Sequence, residues 1–280
     1  GYGAPQAYFA LESSMDELAR KLDEDPVKLR QRTTIRSGES SPIWEVLGEG
    51  KKGIKQVLGS CGLEECIESG ARAIGWERRS QLERSGRFRR GLGMSTHLEG
   101  SSVPEVDMAS ASLKLNEDGS FNLHMGATDL GQGSDTVLGQ IAAEILGVPI
   151  DDIIVLSSDT DLTPFDVGAY ASSTTYLSGN AVLNAAEKVR KQILAVAARE
   201  LGRPFEDLTL CDKKVVAADG TGLSLERIAA ISLYEDRQMQ IASFGSAISH
   251  SSPPPFGAQF AEVEVDVRTG VVRVIHTLPP

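Results

Sequence analysis

The sequence predicts an α+β fold with mixed sheets and long helices, and two patterns along its 280 residues carry that prediction. Apolar residues recur at three- and four-residue steps in several stretches, which indicates amphipathic helices. Elsewhere, short runs alternate apolar and polar residues and are bounded by turn-forming residues, which indicates strands. Because strands and helices do not alternate regularly along the chain, the pattern favours an α+β architecture.

The first predicted element is a helix that follows a glycine-rich opening. Pro5 suits the first turn of such a helix. The residues that recur on one face, and that we expect to be buried, are Tyr8, Leu11, Met15, Leu18, Ala19 and Leu22. The helix is expected to end between Asp23 and Pro26. The chain starts without a methionine, which suggests that it begins inside a longer protein.

A loop and a domain boundary are predicted after this helix. Residues 36–52 are rich in glycine, serine and proline, as loops are. We therefore expect residues 1–55 to form a glycine-rich loop, a helix and a linker, and residues 56–280 to form an α+β region of two subdomains. A second helix is predicted over residues 63–74. The arginine-rich stretch 78–90 is expected to be a solvated face, from which one or two arginines could contact a phosphate.

The middle of the chain predicts a hairpin and then a mixture of helices and strands. Residues 109–115 and 121–125 flank a turn made by residues 117–120, as in a hairpin. The remaining predicted elements are a helix that ends at Gly147, a buried strand at 153–156, a long helix through 182–197, a hairpin at 208–218, a short helix at 225–231 and strands near 239–246 and 259–274.

Composition excludes several classes of function. The net charge of −11 and the pI near 4.9 argue against a nucleic-acid partner, which needs a basic face. Three cysteines without a C-x-x-C pair suggest neither a disulfide framework nor a zinc site, and they fit a reducing cytoplasm. Cys61 and Cys66 could be an iron–sulfur ligand pair, but such clusters need four thiolates, so we favour helix-face cysteines. We expect no membrane partner, because the sequence has no apolar run of spanning length.

Two loops that lead into helices are the candidate binding segments. Gly131 and Gly133 allow close backbone approach, and Gln132 between them offers one acceptor and two donors. The stretch 168–175 offers small side chains and hydroxyls before the next helix. Unpaired N–H groups and the dipole at a helix start favour anions, so each loop could hold a phosphate or a polar heterocycle. A G-x-G turn before a helix is, however, usually only a turn.

Four short stretches follow one another along the chain: Gly1 to Gln6 with the helix through Ala19; Gly131-Gln132-Gly133 with Asp135-Thr136; Ser158 to Asp161 through Gly179-Asn180-Ala181; and Phe256-Gly257-Ala258 with Glu262 to Asp266. In this order they resemble the molybdopterin-binding subunits of the xanthine oxidase family, whose R-G-[FY]-G-x-P-Q loop is similar to the first stretch. Several motifs in the family's order are far more specific than any one of them.

The resemblance implies a molybdenum–pterin cofactor, in the cytosine dinucleotide form, and hydroxylation of aromatic N-heterocycles or aldehydes with oxygen from water. It implies that Gln132 contacts a molybdenum ligand or the pterin and that the amides of Gly131 and Gly133 line the same pocket. Tyr2 would pack on the substrate ring. The residues that would contact pterin or phosphate are Ala171, Ser172, Thr174 and Thr175.

The resemblance also implies what the family supplies from outside these residues. The glutamate that acts as the family's catalytic base belongs to a segment beyond Pro280, so we expect no catalytic residue and no direct metal ligand here. Glu262 and Glu264 do not replace it, because they alternate with valines and are expected on the exposed face of a strand. We expect the chain alone to be inactive and to lack the cofactor. The implied partners are the remaining segments of the molybdenum subunit, iron–sulfur and FAD subunits, and a small-molecule substrate.

Two alternatives stay open beside this reading. One is a noncatalytic α+β binding or scaffold domain that has kept the fold. The other, a phosphate-binding transferase, lacks a catalytic lysine and a recognisable carboxylate pair for magnesium. Within the family, Asp161 to Asp166 resembles members that act on heterocycles and aromatic thioesters, which favours a purine or nicotinate type of substrate over an aliphatic aldehyde.

Overall fold

Six α-helices and ten strands form the part of the chain that this computed structural model describes, residues 3–41, 57–235 and 238–278. They confirm the predicted α+β fold class. The chain divides into two units: unit 1 holds the described residues before 101 and after 252, and unit 2 holds those between. The boundary predicted near residue 55 lies outside the described residues and stays a prediction.

Unit 1 is an antiparallel three-stranded sheet with helices beside it. Its elements are α1 (Ala4–Leu22), α2 (Pro26–Thr33), α3 (Leu63–Ile74), β1 (Phe88–Leu98), β9 (Phe256–Asp266) and β10 (Val272–Leu278). The strand order is β1-β9-β10. Helix α3 packs on β9, where a Cβ added to Gly70 would lie 2.3 Å from the ring of Phe260. Only glycine permits this close packing.

The predicted helix at the start of the chain is confirmed, but most of its predicted buried face is not. Ala19 is buried as predicted, whereas Leu11, Leu18 and Leu22 are exposed and Glu12 is buried instead. The Glu12 carboxylate accepts hydrogen bonds from Arg30 Nε and from the Thr96 backbone N–H, both at 2.8 Å. Because this polar pairing turns the Glu12 side of α1 inward, the leucine stripe faces outward.

The arginine-rich stretch pairs with carboxylates of β9. Arg78 pairs with Glu262, and Arg87 pairs with Asp266 at 2.7 Å. The expectation that Glu262 lies on an exposed strand face is therefore wrong, since the residue is buried. The guanidinium of Arg87 also holds the pKa of Asp266 below its usual range.

Unit 2 consists of a four-stranded sheet covered by two helices, with a small three-stranded sheet. Its elements are β2 (Met108–Leu115), β3 (Phe121–Met125), α4 (Ser134–Leu146), β4 (Ile153–Ser157), α5 (Thr174–Leu201), β5 (Leu208–Cys211), β6 (Lys214–Ala217), β7 (Gly222–Ser224), α6 (Leu225–Ala230) and β8 (Ala242–Ile248). The larger sheet has the order β4-β3-β2-β8, and the smaller one the order β5-β6-β7. Strands β3 and β4 are parallel and are joined through α4, a β-α-β unit.

Helix α5 is fixed along the edge of the larger sheet. Asn184, Lys188 and Gln192 recur every four residues and donate hydrogen bonds to carbonyl oxygens of β8 at 3.0, 2.8 and 3.0 Å. A Cβ added to Gly245 would lie 2.2 Å from the Ala181 carbonyl oxygen, so the backbones of β8 and α5 are in direct contact here. These contacts fix the position of the helix whose start belongs to the second candidate loop.

The structure confirms most of the predicted elements of unit 2. The hairpin is β2 and β3, and the predicted helix ends at Gly147 in the left-handed conformation. The strand predicted as buried is β4, but Ile154 is exposed, because it points to the opposite face of the sheet from the buried Ile153. None of the described helices is long and apolar enough to cross a membrane. All three cysteines are free thiols.

Candidate functional site

The two candidate loops leave the same edge of the larger sheet. The first loop, residues 126–133, follows β3, and the second loop, residues 158–173, follows β4. The last residues of these parallel strands, Met125 and Ser157, are paired. Parallel strands end at a common edge, so both loops start there and lead to the starts of α4 and α5.

The loops also contact each other. A Cβ added to Gly126 would lie 2.4 Å from the Pro164 carbonyl oxygen and 2.7 Å from the Asp166 Cβ. The Ser158 hydroxyl donates to the Ala127 carbonyl oxygen at 3.1 Å. The structure therefore brings together the first residues of the two loops, while the predicted binding segments 131–133 and 168–175 follow further along each loop, and their convergence on one cofactor stays a prediction.

The starts of the two helices lie side by side. A Cβ added to Gly179, in the second turn of α5, would lie 3.0 Å from Ile141 and 3.7 Å from Leu138 of α4. Neither helix has a side-chain N-cap hydrogen bond. Two helix starts, each with positive partial charge, are thus close to the same edge.

Within the first loop, Asp129 satisfies the backbone donors. Its carboxylate accepts from the N–H groups of Gly131, Gly133 and Asp135, at 2.8, 3.3 and 3.2 Å. These bonds lower the pKa of Asp129, because they stabilise its charged form. The two glycine amides predicted to line a cofactor pocket therefore already have an acceptor.

Gln132 is also engaged inside the first loop. Its Oε1 accepts from the Leu130 N–H, and its Nε2 donates to the Thr128 carbonyl oxygen at 2.9 Å and to the Ser134 hydroxyl at 3.2 Å. The side chain is exposed. Its predicted contact with a cofactor stays a prediction, and a contact in which Nε2 donates requires it to release Thr128 or Ser134.

The second loop has a different backbone conformation, and the first N–H groups of the helix that follows it have no acceptor within the helix. Ala171 and Ser172 have φ values of 48° and 52°, in the left-handed region. Ser173, the N-cap residue of α5, makes no side-chain cap hydrogen bond, and its hydroxyl instead donates to the Tyr170 carbonyl oxygen at 2.8 Å. The first-turn N–H groups of α5, including those of Thr174 and Thr175, have no intrahelical acceptor. Such a helix start favours a phosphate or another anion.

The space beside these loops can admit a ligand. A Cβ added to Gly131, Gly133 or Gly168 would meet nothing within 4 Å. The uncapped start of α5, the hydroxyls beside it and open space are what a pterin nucleotide with its phosphates needs, so the residues present fit that group. The described residues include no cluster of three or more metal-ligating side chains.

Sequence reasoning missed three residues that shape the site. Asp129 could have been found, because an aspartate two residues before a glycine commonly accepts from that backbone N–H. Asp107 and Tyr170 bind each other across 63 residues, a pairing with no local sequence signal. Tyr2, predicted to contact substrate, lies outside the described residues.

Similar proteins cover nearly the whole chain. The probable hypoxanthine oxidase XdhD of Escherichia coli K12 is 38% identical over 275 residues, which are 98% of this chain and 29% of that protein. The putative xanthine dehydrogenase molybdenum-binding subunit XdhA of the same strain is 37% identical over 287 residues, covering 99% of this chain and 37% of that protein. The chain thus spans about a third of the length of these relatives.

Solved structures share the fold. Quinoline 2-oxidoreductase from Pseudomonas putida 86 superposes with a TM-score of 0.79 at 22% identity, over 96% of this chain and 36% of that one. The aldehyde oxidoreductase of Desulfovibrio gigas superposes with a TM-score of 0.72 at 26% identity, over 99% of this chain and 28% of that one.

The family assignment rests on matches to sequence models described as molybdopterin cofactor-binding domains. One covers residues 69–278, and a second covers residues 1–34. The first alone spans well over half of the chain. The chain therefore belongs to the molybdopterin cofactor-binding domain family, in a stretch shared with the molybdenum-binding subunits of xanthine oxidase-type enzymes.

Proposed function

We propose that this chain is a cofactor-binding part of a molybdenum hydroxylase that oxidises aromatic N-heterocycles or aldehydes with water-derived oxygen. The observation that carries the proposal is the convergence of two helix-leading loops at one sheet edge, in a member of the molybdopterin family. When bound, the molybdenum–pterin group supplies the redox chemistry of the hydroxylation. The residues of this chain bind and orient that group.

The second loop and the start of α5 hold the charged part of the cofactor. Backbone N–H groups and hydroxyls of Ala171, Ser172, Thr174 and Thr175 donate to phosphate or pterin oxygens, aided by the helix dipole. Gly131, Gln132 and Gly133 form the neighbouring wall. Because the Asp129 carboxylate is negative and already occupies the amides of that wall, the start of α5 would hold the phosphates and Gln132 would contact a neutral part of the cofactor.

The rest of the active site comes from outside these residues. The base glutamate, the opposite wall of the substrate pocket and the iron–sulfur and FAD subunits complete a cytoplasmic enzyme, with Tyr2 packed on the substrate ring. The cofactor is the cytosine dinucleotide form. The chain alone shows no turnover and retains no molybdenum. The names of two relatives, a probable hypoxanthine oxidase and a putative xanthine dehydrogenase subunit, support a heterocyclic substrate.

The test uses the complete enzyme that contains this stretch. We expect stoichiometric molybdenum and pterin nucleotide by metal analysis and mass spectrometry. Gln132→Ala should lower kcat about 100-fold, since losing one positioned hydrogen-bond partner at a reacting centre costs on the order of 3 kcal/mol in rate. Its Tm should change little, because the side chain is exposed. Gln140→Ala, at an exposed position on α4, is the matched control and should keep full activity.

A noncatalytic binding or scaffold domain is the second candidate, and one observation favours it. Both Gln132 and the amides of Gly131 and Gly133 are satisfied inside the first loop. This candidate predicts a complete protein without molybdenum, in which Gln132→Ala alters neither cofactor content nor turnover. Finding molybdenum, pterin nucleotide and a loss of kcat together excludes it.

A further inference from the structure

The second loop contains a backbone arrangement that needs support from elsewhere. Ala171 and Ser172 are consecutive non-glycine residues in the left-handed region. That region brings Cβ too close to the backbone, so single residues adopt it only where surrounding contacts hold them. Two in succession, directly before a helix, imply a specific set of such contacts.

The contacts come from the segment that precedes β2. The Ser102 N–H donates to the Ala171 carbonyl oxygen at 2.8 Å. The carboxylate of Asp107 accepts from the Val103 N–H at 2.7 Å and from the Tyr170 hydroxyl. One short segment therefore holds the loop through the backbone at Ala171 and through the side chain at Tyr170.

Tyr170 transmits this support to the start of α5. Its carbonyl oxygen accepts from both the N–H and the hydroxyl of Ser173, at 3.1 and 2.8 Å. Its own N–H donates to the Gly168 carbonyl oxygen at 3.0 Å. The two left-handed residues are thus enclosed between Tyr170, which Asp107 fixes, and Ser173, which precedes the helix.

The hydrogen bond between Tyr170 and Asp107 offsets part of the cost of burying the Asp107 carboxylate. Asp107 is fully buried, and among the described residues it has no ion pair with an arginine, lysine or histidine. A buried carboxylate needs hydrogen-bond donors, and the phenol is one of its donors. The same bond, with partial burial, raises the pKa of Tyr170 to about 12.

We propose that Asp107 is a positioning residue for the proposed cofactor loop. Through Tyr170 it holds Ala171 and Ser172 in the left-handed conformation, and so keeps the open N–H groups at the start of α5 directed at the cofactor's anionic oxygens. This inference rests on the proposed function for its consequence, but its structural part can be tested without the cofactor.

The first arm of the test uses the 280-residue chain. Tyr170→Phe and Asp107→Asn should each speed amide hydrogen exchange in residues 168–175 by about 10-fold, as expected for losing a hydrogen bond to a charged group. Asp107→Asn should also lower the pKa of Tyr170 in an absorbance titration. The matched control is Tyr234→Phe, which removes an exposed phenol–carboxylate bond to Glu117 and should leave exchange in 168–175 unchanged.

The second arm uses the complete enzyme. Tyr170→Phe should lower the molybdenum and pterin retained through gel filtration several-fold, while kcat per bound molybdenum stays near that of the wild type. A wild-type enzyme without molybdenum would overturn the proposed function, but the exchange experiment would still show whether Asp107 and Tyr170 hold residues 168–175. If Tyr170→Phe shows the same amide exchange and the same cofactor retention as the wild type, the positioning role is overturned. Tyr170 is half-exposed, so this variant should fold even where Asp107→Asn does not.

Discussion

The two loops at the sheet edge are stabilised in different ways. The first loop satisfies itself, because Asp129 and Gln132 bind backbone groups within residues 128–135. The second loop is held from a distance, by Ser102 and Asp107. A self-contained turn can form from local sequence alone, whereas the second loop acquires its shape only when unit 2 has folded.

The difference has an electrostatic consequence. At the start of α4, the Asp129 carboxylate takes the place that an external anion would occupy. At the start of α5, the Ser173 side chain makes no cap hydrogen bond, and the first turn contains no acidic residue. Of two adjacent helix starts, only the second is therefore suited to a phosphate, although the glycine spacing of the sequence points first to the other.

The largest effect is expected where the two loops touch. In Gly126→Ala, the new Cβ would lie 2.4 Å from the Pro164 carbonyl oxygen and 3.0 Å from the Asp166 backbone N, so backbone must move. We expect the free energy of unfolding to fall by about 2 kcal/mol, as for other overpacked sites. Chemical denaturation measures this change.

A strand glycine in open space provides the control for Gly126→Ala. A Cβ added to Gly93 would meet nothing within 4 Å, and its φ is ordinary, so Gly93→Ala should stay within about 0.5 kcal/mol of wild type. Equal stability of the two variants would mean that the loops do not pack against each other as described.

A smaller, local effect is expected from Asp129→Ala. It removes the acceptor of three backbone N–H groups and should speed amide exchange in residues 128–135 while leaving 168–175 unchanged. Because the pKa of Asp129 is lowered in the fold, its contribution is complete above about pH 4 and is lost as the pH falls through the folded pKa. Exchange of the wild-type loop should therefore approach that of the variant in acid, and a pH-independent difference would contradict this assignment.

The sequence predicted what depends on local patterns. The hairpin of β2 and β3, the helix ending at Gly147 and the two loops that lead into helices followed from periodicity, turn residues and glycine spacing. Their convergence followed only from the parallel pairing of β3 with β4, which no local pattern specifies. The resemblance of ordered motifs supplied the family before any geometry was known.

The errors share a physical cause. The leucine face of α1 was expected to be buried because apolar faces usually are, but the Glu12 side is drawn inward by Arg30, a partner 18 residues away. Glu262 was expected to be exposed because it alternates with valines, but Arg78 pairs with it across 184 residues. In both cases a distant charge decided the burial of a carboxylate, and a sequence window contains no such information.

The smallest predicted effects are reciprocal substitutions in the two loops. Ala171→Gly relieves a left-handed alanine, and this gain slightly exceeds the entropic cost of glycine, so stability should rise by about 0.5 kcal/mol. Gly133→Ala places an alanine at φ 81° with nothing within 4 Å of its Cβ, so the change tests backbone conformation alone and should cost about 1 kcal/mol. Thermal unfolding of both variants gives the comparison.

The two changes in stability are expected to have opposite signs, because the left-handed residue is a glycine in the first loop, Gly133, and an alanine in the second loop, Ala171. A loss of stability in Ala171→Gly would mean that the alanine side chain makes a contact that outweighs its backbone strain, and that the loop is held by more than Ser102 and Asp107.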